Sequence, residues 1–467
     1  MEKKVENKDL IKNTSPDLEK PKKDFRYYFP SLEALMEKKD LRDFLPSGEG
    51  VKEKKDLRDF LPSGEGVKEK KDLRDFLQKE KVKPTFIIDY AEKELRTFFE
   101  KPFGEVDSLI LSQLSYIHLG CIVGKIDENL PAIPISGLLK SEHFFSYLDD
   151  VRDAPKNKEL LFALCASPRY RDITVNYYTN KIDILEEKQF CAMTFFLPTG
   201  EVYIAFRGTD STVVGWKEDF NMTFISPVPS QLSAVEYLKQ ISLKTDKKLY
   251  LGGHSKGGNL ALYSAIYGEK SIQDRIIAIF SHDGPGVKEG VFDTEGYKNI
   301  SGKIHITLPK SSLVGMMFEI QEYRVVKSNR MGIMQHDPFS WEIDGDDFAY
   351  TETLTDTSIF MNQTMNIWLN SLSEEQMKTF VDTLFDVLEA AGTKSFVDWP
   401  QGAIKEADRL LKAVKDIDEE TSKYIYIVIG ELIKISVKNM FVSLDRADKD
   451  YSLTDESESE STDKVKV

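Results

Sequence analysis

The segment Leu249-Tyr250-Leu251-Gly252-Gly253-His254-Ser255-Lys256-Gly257-Gly258-Asn259-Leu260 constrains this chain more than any other. A short apolar run that ends in glycines reads as a strand, and Gly258 to Lys270, GNLALYSAIYGEK, reads as a helix. Between them stands a serine in the G-x-S-x-G spacing, flanked by Gly253 and Gly257. A strand that turns sharply into a helix holds such a serine in a strained backbone conformation and lifts its hydroxyl clear of the sheet. The glycines are needed because a side chain two residues to either side would collide with neighbouring elements. The helix start behind Ser255 supplies unpaired N–H groups and the positive end of the helix dipole. The competing reading is a glycine-rich packing turn with an inert serine.

The surrounding sequence predicts the fold class that such a bend needs. Cys191 to Gly208, CAMTFFLPTGEVYIAFRG, reads as a hairpin turning at Pro198-Thr199-Gly200. SAVEYLKQISLK reads as a helix, RIIAIFSHDGPG as a strand and loop, and KIHITLPKSS as a further strand. Strands and helices alternating at this spacing predict an α/β fold, a mostly parallel sheet flanked by helices.

A serine hydroxyl needs a base to become nucleophilic at neutral pH. The chain has six histidines: His118, His143, His254, His282, His305 and His336. The order nucleophile, acid, base removes His118 and His143, which precede the serine. His254 adjoins Ser255 and reads as structural. His305 lies inside a strand pattern and is expected to face a packed layer. His336, in the Pro-containing loop Gln335-His336-Asp337-Pro338, is the favoured base, with His282 as runner-up. Of Asp274, Asp283 and Asp293, the favoured acid is Asp283, which directly follows the strand RIIAIFSH and precedes Gly284-Pro285-Gly286. Its alternative is a turn residue bonding its own backbone. Acyl transfer also needs two donors for an oxyanion. Lys256, the residue after the nucleophile, offers its backbone N–H. Thr209, in the Arg207-Gly208-Thr209 turn, offers its N–H and its hydroxyl.

Charge and cysteine content exclude several other functions. Lys and Arg number 63 against 78 Asp and Glu, a net charge of −15, which does not suit a nucleic-acid partner. Three cysteines (Cys121, Cys165, Cys191) make no disulfide framework, and no spacing of His, Cys and carboxylates matches a metal ligand set. No cofactor is implied. Neither a signal-peptide pattern nor a long uninterrupted apolar run is visible, so the expectation is a cytoplasmic protein.

The chain divides into four parts. Residues 1–82 read as a mobile arm built on a tandem repeat: EKKDLRDFLPSGEGVK runs from Glu37 to Lys52, recurs from Glu53 to Lys68 and begins again at Glu69. A docking module is the alternative for this arm. Residues 83–395 read as the α/β domain, closing with SLSEEQMKTFVDTLFDVLEAAG, a helix capped by Ser373 with Phe380, Leu384 and Leu388 at four-residue steps. Residues 396–445 read as a C-terminal helical segment. Its apolar stretch carries Lys423, Glu431, Lys434 and Lys438, so packing on a body or partner is favoured over membrane insertion. Residues 446–467 read as an acidic, disordered tail.

Phe206-Arg207-Gly208-Thr209 and Gly253-His254-Ser255-Lys256-Gly257-Gly258 together resemble the class 3 (fungal-type) lipases of the α/β-hydrolase fold. Gly215-Trp216-Lys217-Glu218-Asp219-Phe220-Asn221-Met222, Asp283-Gly284-Pro285-Gly286 and Gln335-His336-Asp337-Pro338 look closer still to the Mbeg-like bacterial family, a lipase-related group of unassigned function. The resemblance spans about Phe103 to Gly392. It implies a serine hydrolase acting on acyl esters, with Ser255 as nucleophile, Thr209 as an oxyanion residue and His336 as base. The chain departs from the lipase pattern in two places. Lys256 follows the nucleophile where an apolar residue is usual. No carboxylate stands at Ser311-Ser312-Leu313-Val314, where the lipase acid sits. The stretch from Thr209 to Phe220 leaves little room for a large lid. The other reading of these departures is an inactive hydrolase scaffold that serves for binding.

Overall fold

The computed structural model describes residues 11–12, 84–371 and 373–390. The tandem repeats, the apolar segment after residue 396 and the acidic tail lie outside the described residues. The core of the described chain is a mixed sheet. Seven strands matter for the site: β1 (Thr174–Asp183), β2 (Lys188–Phe196), β3 (Val202–Phe206), β4 (Leu249–His254), β5 (Ile276–His282), β6 (Ile304–Pro309) and β7 (Glu322–Val326). They lie side by side in chain order. β1, β2 and β3 pair antiparallel, whereas β3 to β7 run parallel. Ile133–Pro134 extends the sheet beyond β1, and Ile11–Lys12 and Tyr350–Thr351 pair along β7.

The hairpin falls where its sequence placed it. Lys188–Phe196 turns into Val202–Phe206, and Gly200 takes the left-handed φ of 103° that the turn requires. β1 and β7 were not among the expected strands. TVNYYTNKID mixes polar residues into its alternation, and its register shifts between Asn176 and Thr179, where Tyr177 has φ 59°. EYRVV is short and carries two charged residues.

Alternate side chains of the central strands feed two cores, as a sheet covered on both faces demands. Tyr203, Ala205, Ala278 and Phe280 join Leu109, Ile110 and Leu114 of helix α1 (Glu105–Leu114) in one core. Ile204, Phe206, Leu251 and Ile279 join the other. There they meet Leu238 of α3 (Pro229–Lys244) and Leu260 of α4 (Lys256–Tyr267). Between β3 and α3 lies α2 (Val213–Asn221), capped by the Thr212 hydroxyl. The last described helix, α5 (Glu374–Ala390), opens on the predicted cap: Ser373 Oγ accepts from the Gln376 N–H, and Gln376 Oε1 from the Ser373 N–H. Met377, Phe380, Val381, Leu384 and Phe385 of α5 are buried, and Phe385 packs its ring on Phe220 of α2. No helix among the described residues is long and apolar enough to cross a membrane.

Candidate active site

Register places the site. Gly253 pairs with Phe206, His254 with His282, and His282 with Thr307. The carboxyl ends of β3 to β6 are therefore level, and the residues just past them share one edge of the sheet. Ser255 follows β4 and Asp283 follows β5, each with a left-handed φ that an L-residue seldom adopts, 58° and 49°. The Ser255 N–H donates to the His282 carbonyl at 2.9 Å, and the Asp283 N–H to that of Thr307 at 2.8 Å. Neighbouring strands thus hold both bends by their own backbone ladder.

The elbow glycines have a steric cause. A Cβ on Gly257 would stand 2.1 Å from the Phe206 carbonyl oxygen, and one on Gly253 would stand 2.2 Å from the Gly257 carbonyl carbon. Both obstacles are backbone, which has no rotamer to yield.

Asp283 is fully buried and its two oxygens have separate duties. Oδ1 accepts from the Ser312 hydroxyl at 2.5 Å and the Gly315 N–H at 3.1 Å. Oδ2 lies 2.6 Å from His336 Nδ1. The missing carboxylate at Ser311-Ser312 thus has a structural counterpart: Ser312 supports an acid carried by the preceding strand. His336 ends a short turn, Gly332–His336, that is fastened from several sides. Its carbonyl accepts from His254 Nε2 at 2.8 Å, and the two imidazoles pack against each other tilted by 38° with centroids 4.6 Å apart. The buried Trp341 donates Nε1–H to the Gln335 carbonyl, and Gln335 Oε1 accepts from the Ser311 N–H. With Nδ1 committed to Asp283, Nε2 is the ring nitrogen left for chemistry. Neither this nitrogen nor the partly exposed Ser255 hydroxyl hydrogen-bonds to another described residue. The hydroxyl and the ring thus sit at one sheet edge without a hydrogen bond between them.

The other histidines have different surroundings. His254 is buried, with Nδ1 3.2 Å from the Tyr116 hydroxyl, and burial holds its pKa well below the ordinary value. His282, the runner-up base, is sealed in the core with Nε2 3.0 Å from Ser108 Oγ. Burial lowers its pKa to about 4, so it is no solvent-facing base. The expected packed setting of His305 is corrected: its side chain is 43% exposed and lies against Glu105, Nδ1 to Oε1 3.0 Å. It is the second residue of β6, whose burial begins only with the third residue.

Thr209 and Lys256 also differ in part from expectation. The Thr209 hydroxyl donates to Asp219 Oδ2, which leaves only its backbone N–H for an oxyanion. The Lys256 charge does not stand beside the reaction centre, for the side chain is 1% exposed and runs inward to Glu218. Lys256 opens α4, so its N–H has no intrahelical acceptor. Sequence reasoning assigned no role to Glu218 or Asp219; the string Trp216-Lys217-Glu218-Asp219 was the signal available.

The buried neutral histidine sets a pH dependence. His282 is held near a pKa of about 4 when folded and returns toward its ordinary 6.5 when unfolded. The unfolded chain therefore binds more protons in that window, and stability present above pH 6.5 is lost as the pH falls toward 4, by about 3 kcal/mol from this residue. His282→Gln is expected to flatten the pH dependence of urea midpoints between 6.5 and 4.5. Parallel curves for parent and variant would exclude this assignment.

Residues 164–386 match the Mbeg1-like family model, and over this span the chain resembles that family. A search of solved structures gives the M37 lipase, at 17% identity and a TM-score of 0.28, covering 44% of this chain and 68% of that one. It also gives a fungal lipase–inhibitor complex at 15% identity and a TM-score of 0.32, covering 54% of this chain and 86% of that one. No curated protein matches the chain.

Proposed function

We propose that this hydrolase-like scaffold is a serine hydrolase that cleaves carboxylic esters through an acyl-Ser255 intermediate. The observation that carries the reading is the contact of His336 Nδ1 with the buried Asp283, on the sheet edge where the strained Ser255 emerges. In the reaction His336 Nε2 takes the hydroxyl proton as Ser255 Oγ attacks the acyl carbon. Asp283 fixes the tautomer and offsets the charge of the imidazolium. The N–H groups of Lys256 and Thr209 receive the oxyanion. The imidazolium then returns its proton to the leaving alkoxide, and water repeats the sequence to free the acid.

A fluorophosphonate probe tests this directly. The parent is expected to be labelled on Ser255 and to hydrolyse p-nitrophenyl esters; Ser255→Ala is expected to do neither. A parent that resists labelling supports instead an inactive scaffold with a binding role.

A further inference from the structure

Lys256 has two parts with separate surroundings. Its backbone begins α4 behind the nucleophile, while its Nζ donates to Glu218 Oε2 at 2.9 Å and to the Gln189 carbonyl at 3.0 Å, with Asp219 Oδ1 at 3.7 Å. Glu218 is fully buried and accepts two further N–H groups, from Gln189 at 2.9 Å and Ser230 at 2.8 Å. Asp219, its neighbour on α2, holds the Thr209 hydroxyl. A continuous chain of polar contacts therefore runs from the residue after the nucleophile, through α2, to the turn after β3. Burying these charges carries a desolvation cost that an apolar side chain at position 256 would avoid, so stability alone does not account for the lysine. What an ion pair adds over an apolar contact is a defined distance and direction.

We propose, resting on the hydrolase reading, that the Lys256 side chain is a positioning group. Through Glu218 and Asp219 it fixes α2 and the Thr209 turn against the elbow, and so sets the spacing between the two oxyanion N–H donors. Lys256 is then at once the donor of one N–H and the anchor of the other. The raised pKa of Asp219, about 6 through burial and held from going higher chiefly by Lys256, agrees with a carboxylate that depends on this cation.

The test uses the full chain and the neutral pair K256M/E218Q, which removes both charges together. The introduced amide keeps only one acceptor oxygen for the Gln189 and Ser230 N–H groups and Asp219 loses the Lys256 cation, so the pair is expected to fold but to melt below the parent. Its kcat on p-nitrophenyl butyrate should fall by about 10-fold or more, less than the ~10²–10³ for outright loss of a donor. KM should stay within about twofold, because the hole acts on the transition state. Affinity for a trifluoromethyl ketone, whose serine adduct carries an oxyanion, should fall by the same factor as kcat. A merely structural lysine would lower the melting temperature and leave both kcat and ketone affinity at parent values.

If the pair fails to fold, Thr209→Val cuts the far end of the chain while keeping the N–H, and is expected to lower kcat and ketone affinity together. Parent-like kcat and ketone affinity in a folded K256M/E218Q, or in Thr209→Val, overturns the inference alone. A parent that neither labels nor turns over overturns the hydrolase reading, and this one with it.

Discussion

Asp283→Asn is expected to lower kcat by about 10³–10⁴-fold with little change in KM or fold. The reason lies in the two oxygens of Asp283. Oδ1 accepts from Ser312 and Gly315, so the amide oxygen of an asparagine must stay there; the reverse flip would set its NH2 against the Gly315 N–H. The NH2 group is then forced toward His336 Nδ1. Nδ1 must become the acceptor, the ring proton moves to Nε2, and the base can no longer take a proton from Ser255. Single-turnover kinetics with a nitrophenyl ester measure the loss. Parent-like turnover in Asp283→Asn alongside an inactive His336→Ala would remove Asp283 from the reaction.

Gly257→Ala is expected to reverse the usual sign of its substitution. At an ordinary exposed helix position the change gains about 1 kcal/mol. Here the new Cβ would stand 2.1 Å from the Phe206 carbonyl oxygen and 2.9 Å from the Phe206 and Arg207 carbonyl carbons. β3 and α4 would have to separate, and both contribute buried side chains to the same core. A loss above about 4 kcal/mol is expected, read as failure to purify folded protein or a collapse of the urea midpoint. A variant as stable as the parent would mean that the bend is looser than the backbone contacts require.

The fold was legible where sequence and local physics agree. The hairpin at Gly200, the strands β4, β5 and β6 and the helix α4 announced themselves through apolar runs bounded by glycine. The cap of α5 was legible for the same reason, since Ser373 and Gln376 bond within one turn. Spacing and chain order singled out Ser255, His336 and Asp283 as candidates, and the structure sets His336 against Asp283 at the sheet edge where Ser255 emerges. Contacts across the chain were not legible. Lys256 meets Glu218 only because α2 returns beneath β2, and no spacing rule states where a lysine will reach. For the same reason Ser312 read as an absent acid, and the hydroxyl of Thr209 read as available. His305 is exposed because it precedes the buried part of its strand, and a strand pattern does not say where along the strand burial begins.

The proposed acid and nucleophile, Asp283 and Ser255, follow adjacent strands, whose separation is a property of the sheet, while the proposed base, His336, arrives on a separate turn. The first two are therefore as durable as the whole domain, and the third is only as durable as the side-chain pins at Trp341, Gln335, His254 and Asp283. Catalytic competence and global folding should then come apart on heating. Hydrolysis would fade while amides in β4 and β5 still resist deuterium, because the imidazole leaves before the ladder opens.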